Sequence, residues 1–160
     1  LLAASHAAIH RADTRSTVLL AGLAPTVETG PENISDLLFL RQLYAIGAAP
    51  FFDAAAGKPY AFNSAPYDSS LHPQVLNFSR FILMRAEMEH AGDGDKLIWG
   101  SHFGWYNPLA ASNAQSTWGE VNERQQADFT AAAFERALVL LFPLLLLVLL
   151  LHFLQLLLLL

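Results

Sequence analysis

Apolar and polar positions along residues 1–136 fall into blocks of two different periods. LLAASHAAIHRAD at 1–13 has the spacing of a helix, with Leu2, Ala3, Ile9 and the alanines along one side. TVLLAGLAP at 17–25 is a β-branched and apolar run ended by proline, the pattern of a buried strand. Asn33 is placed to cap a following helix, with Asp36 at its third position near the positive dipole end. That helix runs through LLFLRQLYAI and stops at Gly47. A second short strand is expected in FFDAAAGKPY at 51–60. Pro73 suits the first turn of the next helix, which runs VLNFSRFILMRAEMEHA and ends at Gly92. LIWGSHFGW at 97–105 is the third strand, and Thr117 with Glu120 makes a Thr-x-x-Glu capping box for a last helix, EVNERQQADFTAAAFERA.

Strands that are apolar throughout, each followed by a helix, predict parallel βα units covered on both faces. The loops after the strands (26–32, 57–72 and 101–116) are long and hold most of the Tyr, Trp and Asn. The returns from helix to strand, around Gly47 and AGDGDK, are short. In parallel α/β folds the function sits on the loops at the carboxyl ends of strands, so this asymmetry marks where to look.

Composition sharpens the picture. The chain has 160 residues, a hydrophobic fraction of 54%, a charged fraction of 14% and a formal net charge of −5. It contains no cysteine, which removes disulfide scaffolds, thiol nucleophiles and iron–sulfur sites. Its few Lys and Arg are not clustered, so no nucleic-acid partner is expected. Every Asp, Glu, Lys and Arg lies in the first 136 positions, and 137–160 (ALVLLFPLLLLVLLLHFLQLLLLL) is nearly all leucine. About 20 apolar residues cross a bilayer as a helix, so 137–160 is expected to be a hydrophobic transmembrane helix, making the protein membrane-associated with its side undetermined. A buried core helix and a low-complexity stretch from a shifted reading frame are the competing readings. The first residues, LLAASHAAIHRADTR, lack the charged start and long apolar core of a signal peptide.

WGSHFGW at 99–105, KPY at 58–60, and GLAPTVETGPENISDLLFLRQLY at 22–44 together resemble the C-terminal half of a retaining (β/α)8 glycoside hydrolase of clan A. The likeness is to the xylosidase-like and exopolysaccharide-hydrolase-like branch and covers roughly 1–136. It implies a partial TIM barrel, with 17–25, 51–60 and 97–105 as strands five, six and seven. It also implies a carbohydrate ligand and no cofactor. Such enzymes need two carboxyl groups about 5–5.5 Å apart across the glycosidic bond. In the family the acid/base Glu ends strand four, which is not in this stretch. The nucleophilic Glu ends strand seven, where this sequence has His102. A complete barrel takes eight strands in about 250 residues. A parent that hydrolysed a polysaccharide is therefore implied, with this chain inactive alone. The alternatives are a non-catalytic, membrane-anchored carbohydrate-binding relative and a degenerate fragment.

The resemblance gives site residues. His102, at the mouth, and Tyr60, beside the nucleophile position, are the catalytic candidates; each also reads as an ordinary loop or packing residue. Glu28, Lys58, Tyr67, Trp105 and Trp118 are the substrate-binding candidates, with aromatic faces stacking on sugars. Trp99, inside its strand, is expected in the core. Asp53, within an apolar strand, is expected to have a buried partner. No metal site is expected: His6 and His10 have helical i,i+4 spacing without the Glu of an HExxH motif, and twelve positions on from the start of GDGDK stands Gly104, not a calcium-loop Glu. Asn33 and Asn77 lie in Asn-x-Ser sequons, for which chance is the default.

Overall fold

The computed structural model describes residues 1–108 and 119–137. Helix α1 (Leu2–Ala12) leads into strand β1 (Leu19–Leu20), helix α2 (Asp36–Ala45), strand β2 (Ala54–Gly57), helix α3 (Arg80–His90) and strand β3 (Leu97–Gly100). A further helix, α4, occupies 123–137. The sheet order is β1-β2-β3 and both pairings are parallel, with Leu19, Ala54 and Leu97 in one row and Leu20, Ala55 and Ile98 in the next. The protein is thus mixed α/β with a parallel three-stranded sheet.

Both helix stops expected at glycine are present and have the same cause. Gly47 (φ +76) and Gly92 (φ +75) take the left-handed conformation that a Cβ disfavours. Around them the Ala48 N–H donates to the Leu43 carbonyl and the Asp93 N–H to the Met88 carbonyl, closing Schellman motifs. The starts differ from expectation. Ser35, not Asn33, precedes the first residue of α2, and Asn33 instead donates from Nδ2 to Glu28 Oε2 (3.0 Å). α3 begins at Arg80, not at Pro73, because the Pro73 and Val75 carbonyls are used to hold the Arg80 guanidinium. α4 is opened by a capping box, but by Asn122 and Gln125: the Gln125 N–H donates to Asn122 Oδ1 (2.8 Å) and the Asn122 N–H to Gln125 Oε1 (3.0 Å). Thr117, expected in that role, lies outside the described residues.

The strands are shorter than the apolar runs that contain them, and among the described residues α2 and α3 pack on one face of the sheet. Leu20 and Ala55 pack with Leu37 and Leu40 of α2, Met84 and Met88 of α3, and Phe52. On the other face Leu19, Leu97 and Trp99 are 40%, 62% and 53% exposed. On that face Ala54 and Ala56 of the central strand are still buried, but among the described residues no helix packs there, and Trp99 of the last strand is exposed and not a core residue. α1 buries none of its residues; only Leu2 reaches the core.

Asp53 was expected to have a buried partner and has one in Val18, together with two partly exposed histidines. It stands just before β2, where the Val18 N–H donates to Oδ2 (2.6 Å) and His10 Nε2 lies 3.1 Å from the same oxygen. The Val18 N–H is the main reason its carboxyl lies below the ordinary Asp range, with His10 and His6 adding to the effect. Of the expected hydrophobic helix over 137–160, residues 138–160 lie outside the described part. Among the described residues no helix is long and apolar enough to cross a membrane.

Buried charge is concentrated in one pair. The Arg80 side chain is 2% exposed and that of Asp36 9%. Arg80 Nε lies 2.9 and 3.0 Å from the two Asp36 oxygens, and Nη2 is 2.7 Å from Oδ1. The same guanidinium donates to Ser35 Oγ and to the carbonyls of Thr26, Pro73 and Val75. It thereby joins the loop after β1, the start of α2 and the loop after β2.

Candidate functional site

The chain leaves each strand at the same end of the sheet, because all three run parallel. Three loops meet there. The loop after β1 is closed on itself by the Ser35 N–H donating to the Glu28 carbonyl (2.7 Å) and by an antiparallel bridge between Thr29 and Ile34. The loop after β3 is tied to β2: both the N–H and the hydroxyl of Ser101 donate to the Gly57 carbonyl, at 2.9 and 3.1 Å. In the loop after β2, the Ser79 hydroxyl donates to the Asp68 carbonyl, and Arg136 of α4 donates to Ser79 Oγ and to the Pro66 carbonyl.

A second apolar cluster lies beneath these loops. Ala61, Phe78, Trp105, Val121 and Ala133 are buried together, with Phe103 and Phe129 against them. Trp105 is central. Its ring stacks on Phe78 (centroids 6.5 Å apart, 26° between planes) and meets Phe129 edge-on (5.4 Å). Its indole N–H donates to the Ser64 carbonyl (2.8 Å), and its own carbonyl accepts from Gln126 Nε2 (2.7 Å). A buried indole with its one donor satisfied is fixed in orientation.

Above this cluster opens a cleft of about 460 Å³, lined by Ala24, Pro25, Tyr60, Phe62, Gly104, Trp105, Tyr106 and Gly119. Residues after all three strands contribute to it. Among the described residues the lining is apolar and aromatic with two phenols, Tyr60 and Tyr106, and no carboxylate. Such a surface can hold a flat or weakly polar face by ring contact and offer hydroxyls at its edge.

The expected site residues divide. Tyr60 and Trp105 are brought together in the cleft. Trp105 is nonetheless 5% exposed and belongs to the core, so it forms the floor and not a free stacking platform. His102 lies at the same end of the sheet but is exposed and outside the lining. Glu28 is exposed and engaged locally, accepting from Thr26 Oγ1 and Asn33 Nδ2. Tyr67 is 66% exposed, and neither it nor Lys58 lines the cleft. Trp118 lies outside the described residues. Phe62, Tyr106 and Pro25 were not singled out from the sequence, although each follows a strand end within a few positions of a residue that was. Of the two sequon asparagines, Asn77 is 1% exposed and donates to the Ser70 carbonyl, so the folded chain does not present it for modification.

One loop carboxylate carries a pH effect. The Ser70 N–H donates to Asp68 Oδ1 (3.0 Å) and is the main cause of an Asp68 pKa below the ordinary value of 3.8. A lowered carboxyl contributes stability above its unfolded pKa and loses it as pH falls through the lower folded value. Asp68→Asn is accordingly expected to flatten the fall in stability below about pH 4, read by urea unfolding at a series of acidic pH values. An acid limb identical to that of the parent chain would refute the assignment.

Fold and cleft together define a mixed α/β protein with a parallel three-stranded sheet and an aromatic cleft at the carboxyl ends of its strands. Comparison with protein-family models, curated proteins and solved structures gives no significant match to this chain.

Proposed function

We propose that the chain is a section of a glycoside-hydrolase-like (β/α)8 barrel, corresponding roughly to strands five to seven, and that its cleft holds a saccharide ring. The supporting observation is the cleft itself, built after three adjacent parallel strands and lined by Tyr60, Phe62, Trp105 and Tyr106. Aromatic faces pack against the CH-rich faces of sugars, and the volume falls in the ordinary ligand range of about 300–1,000 Å³. Tyr60 and Tyr106 supply hydroxyls for the sugar's own.

The lining favours binding over bond cleavage. Retaining hydrolysis needs a carboxylate nucleophile and a carboxylic acid. The described cleft offers neither, and the imidazole of His102 is a poor nucleophile for that step. The non-catalytic carbohydrate-binding reading is favoured on this ground. The polysaccharide-hydrolysing activity is assigned to a parent that supplies the two carboxyl groups.

Titration with short β-linked xylo- and gluco-oligosaccharides, followed by NMR, is expected to shift the Tyr60 and Trp105 signals. Losing one ring contact of about 1–1.5 kcal/mol corresponds to about tenfold, so Tyr60→Ala is expected to weaken binding by that factor. Hydrolysis of an aryl β-glycoside is expected to be absent or very weak. Binding unchanged in Tyr60→Ala sinks the cleft assignment. Strong turnover that survives His102→Ala would place a catalytic carboxylate elsewhere in the chain.

A further inference from the structure

At the opposite end of the sheet from the cleft, His6 and His10 of α1 approach Asp53 at the entry to β2. Positions i and i+4 of a helix share a face, and the two imidazole centroids are 4.3 Å apart. His10 Nε2 lies 3.1 Å from Asp53 Oδ2, and His6 Nε2 lies 3.6 Å from Asp53 Oδ1. All the candidate ligand atoms fall within 4.8 Å of one another.

The two nitrogen–oxygen separations, 3.1 and 3.6 Å, are close to those in a coordination sphere. An ion bound tetrahedrally by nitrogen at about 2.0–2.1 Å and by carboxylate oxygen at about 2.0–2.2 Å places its ligand atoms roughly 3.3–3.5 Å apart. We propose that His6, His10 and Asp53 form a binding site for a divalent transition-metal ion of the zinc type, with a fourth position open to water. The donor set selects this class: imidazole nitrogens suit zinc and its neighbours, whereas calcium and magnesium take oxygen ligands. Side-chain exposures of 21%, 26% and 37% leave the three groups within reach of an ion and leave room for a water ligand.

Surrounding contacts already orient two of the three ligands. The Val18 N–H fixes Asp53 Oδ2, and the Phe51 ring meets His6 edge-on at 6.4 Å. The histidines lack the intervening glutamate of an HExxH motif, and the role proposed for the site is to bridge. α1 buries no residue, so a bound ion would join it to the start of β2, the central strand, and hold it on the fold. Sequence spacing shows two of the three ligands; the third is 43 positions further along the chain.

The test uses the full chain after chelator treatment. Calorimetric titration with Zn2+ is expected to show one saturable site, and Co2+ is expected to give the intense visible bands of tetrahedral coordination. His6→Ala and His10→Ala are each expected to weaken the site by more than about tenfold, and to abolish the rise in melting temperature that Zn2+ causes in the parent chain. Because His6 and His10 are partly exposed and α1 reaches the core only through Leu2, both variants should keep the parent's circular dichroism, so loss of binding is separable from loss of fold. His72→Ala and His90→Ala are the controls and should bind as the parent does. Saturable Zn2+ binding that persists unchanged in both α1 variants overturns the proposal. So does a parent chain with no saturable site, which would leave only histidine–carboxylate hydrogen bonds at this position.

Discussion

Arg80→Ala is expected to destabilise the protein by about 3–5 kcal/mol, the cost of breaking a buried ion pair by removing one partner. Natural domains have about 5–15 kcal/mol in total, so the loss is about a third or more of a typical domain's stability. The physical reason lies in what is left behind. Asp36 is 8% exposed and would remain as a buried carboxylate without its cation. The carbonyls of Thr26, Pro73 and Val75 would lose a donor at the same time. Since those carbonyls belong to the loops after β1 and β2, the cleft should lose its shape before the sheet loses its pairing. Arg80→Met with Asp36→Leu, which removes both charges and keeps the volume, is expected to recover most of the loss. Urea unfolding of the two single variants and the double variant measures this. A single-variant cost below about 1 kcal/mol, the range of exposed ion pairs, would show that the pair is not the buried hub described.

Trp105→Ala is expected to cost a similar amount, about 3–5 kcal/mol for removal of a buried aromatic side chain. The indole is 5% exposed and fills the space between Phe78 and Phe129. Trp105→Phe is the informative partner. It keeps a ring against Phe78 but leaves the Ser64 carbonyl without its donor, a loss of about 1 kcal/mol. Thermal and urea unfolding of both variants measures the stability effect. Saccharide titration of Trp105→Phe, which should still fold, separates the floor of the cleft from its contents. If Trp105→Phe unfolds as readily as Trp105→Ala, the hydrogen bond and not the packing holds this loop.

Much of the architecture was legible in order and type. Apolar runs bounded by Pro and Gly located all three strands, and two glycines located the ends of α2 and α3, because only a residue without Cβ closes those motifs cheaply. Starts were less legible than stops. Asn33, Pro73 and Thr117 all have the chemistry of a helix start, yet the described helices begin at other residues. An asparagine or proline serves a loop as readily as a helix, and the choice is made by side-chain partners such as Glu28 and Arg80, five and seven positions away, that the capping patterns do not include. Trp99 and Trp105 exchanged their expected places for a related reason. Both are large and apolar, but strand position alone does not say which face of the sheet is covered.

The candidate site was legible as a region and only partly as residues. Long polar loops after each strand marked the end of the sheet where the cleft opens, and Tyr60 and Trp105 were recognisable there. Phe62 and Tyr106 were passed over because an aromatic in a loop carries no local sign of the surface it joins. His102 and Glu28 looked chemically apt, but aptness does not bring a side chain to a cleft.

By itself the sequence determined the alternation of strand and helix, the parallel pairing and the end of the sheet where the long loops gather, since these follow from local periodicity and connection length. The tertiary structure alone decided that Arg80 meets Asp36, that Trp105 lies under Tyr60, and that Asp53 reaches His6 and His10. Each of these joins residues far apart in the chain, and their separation in space is set by how helices pack on a sheet, which no local pattern records.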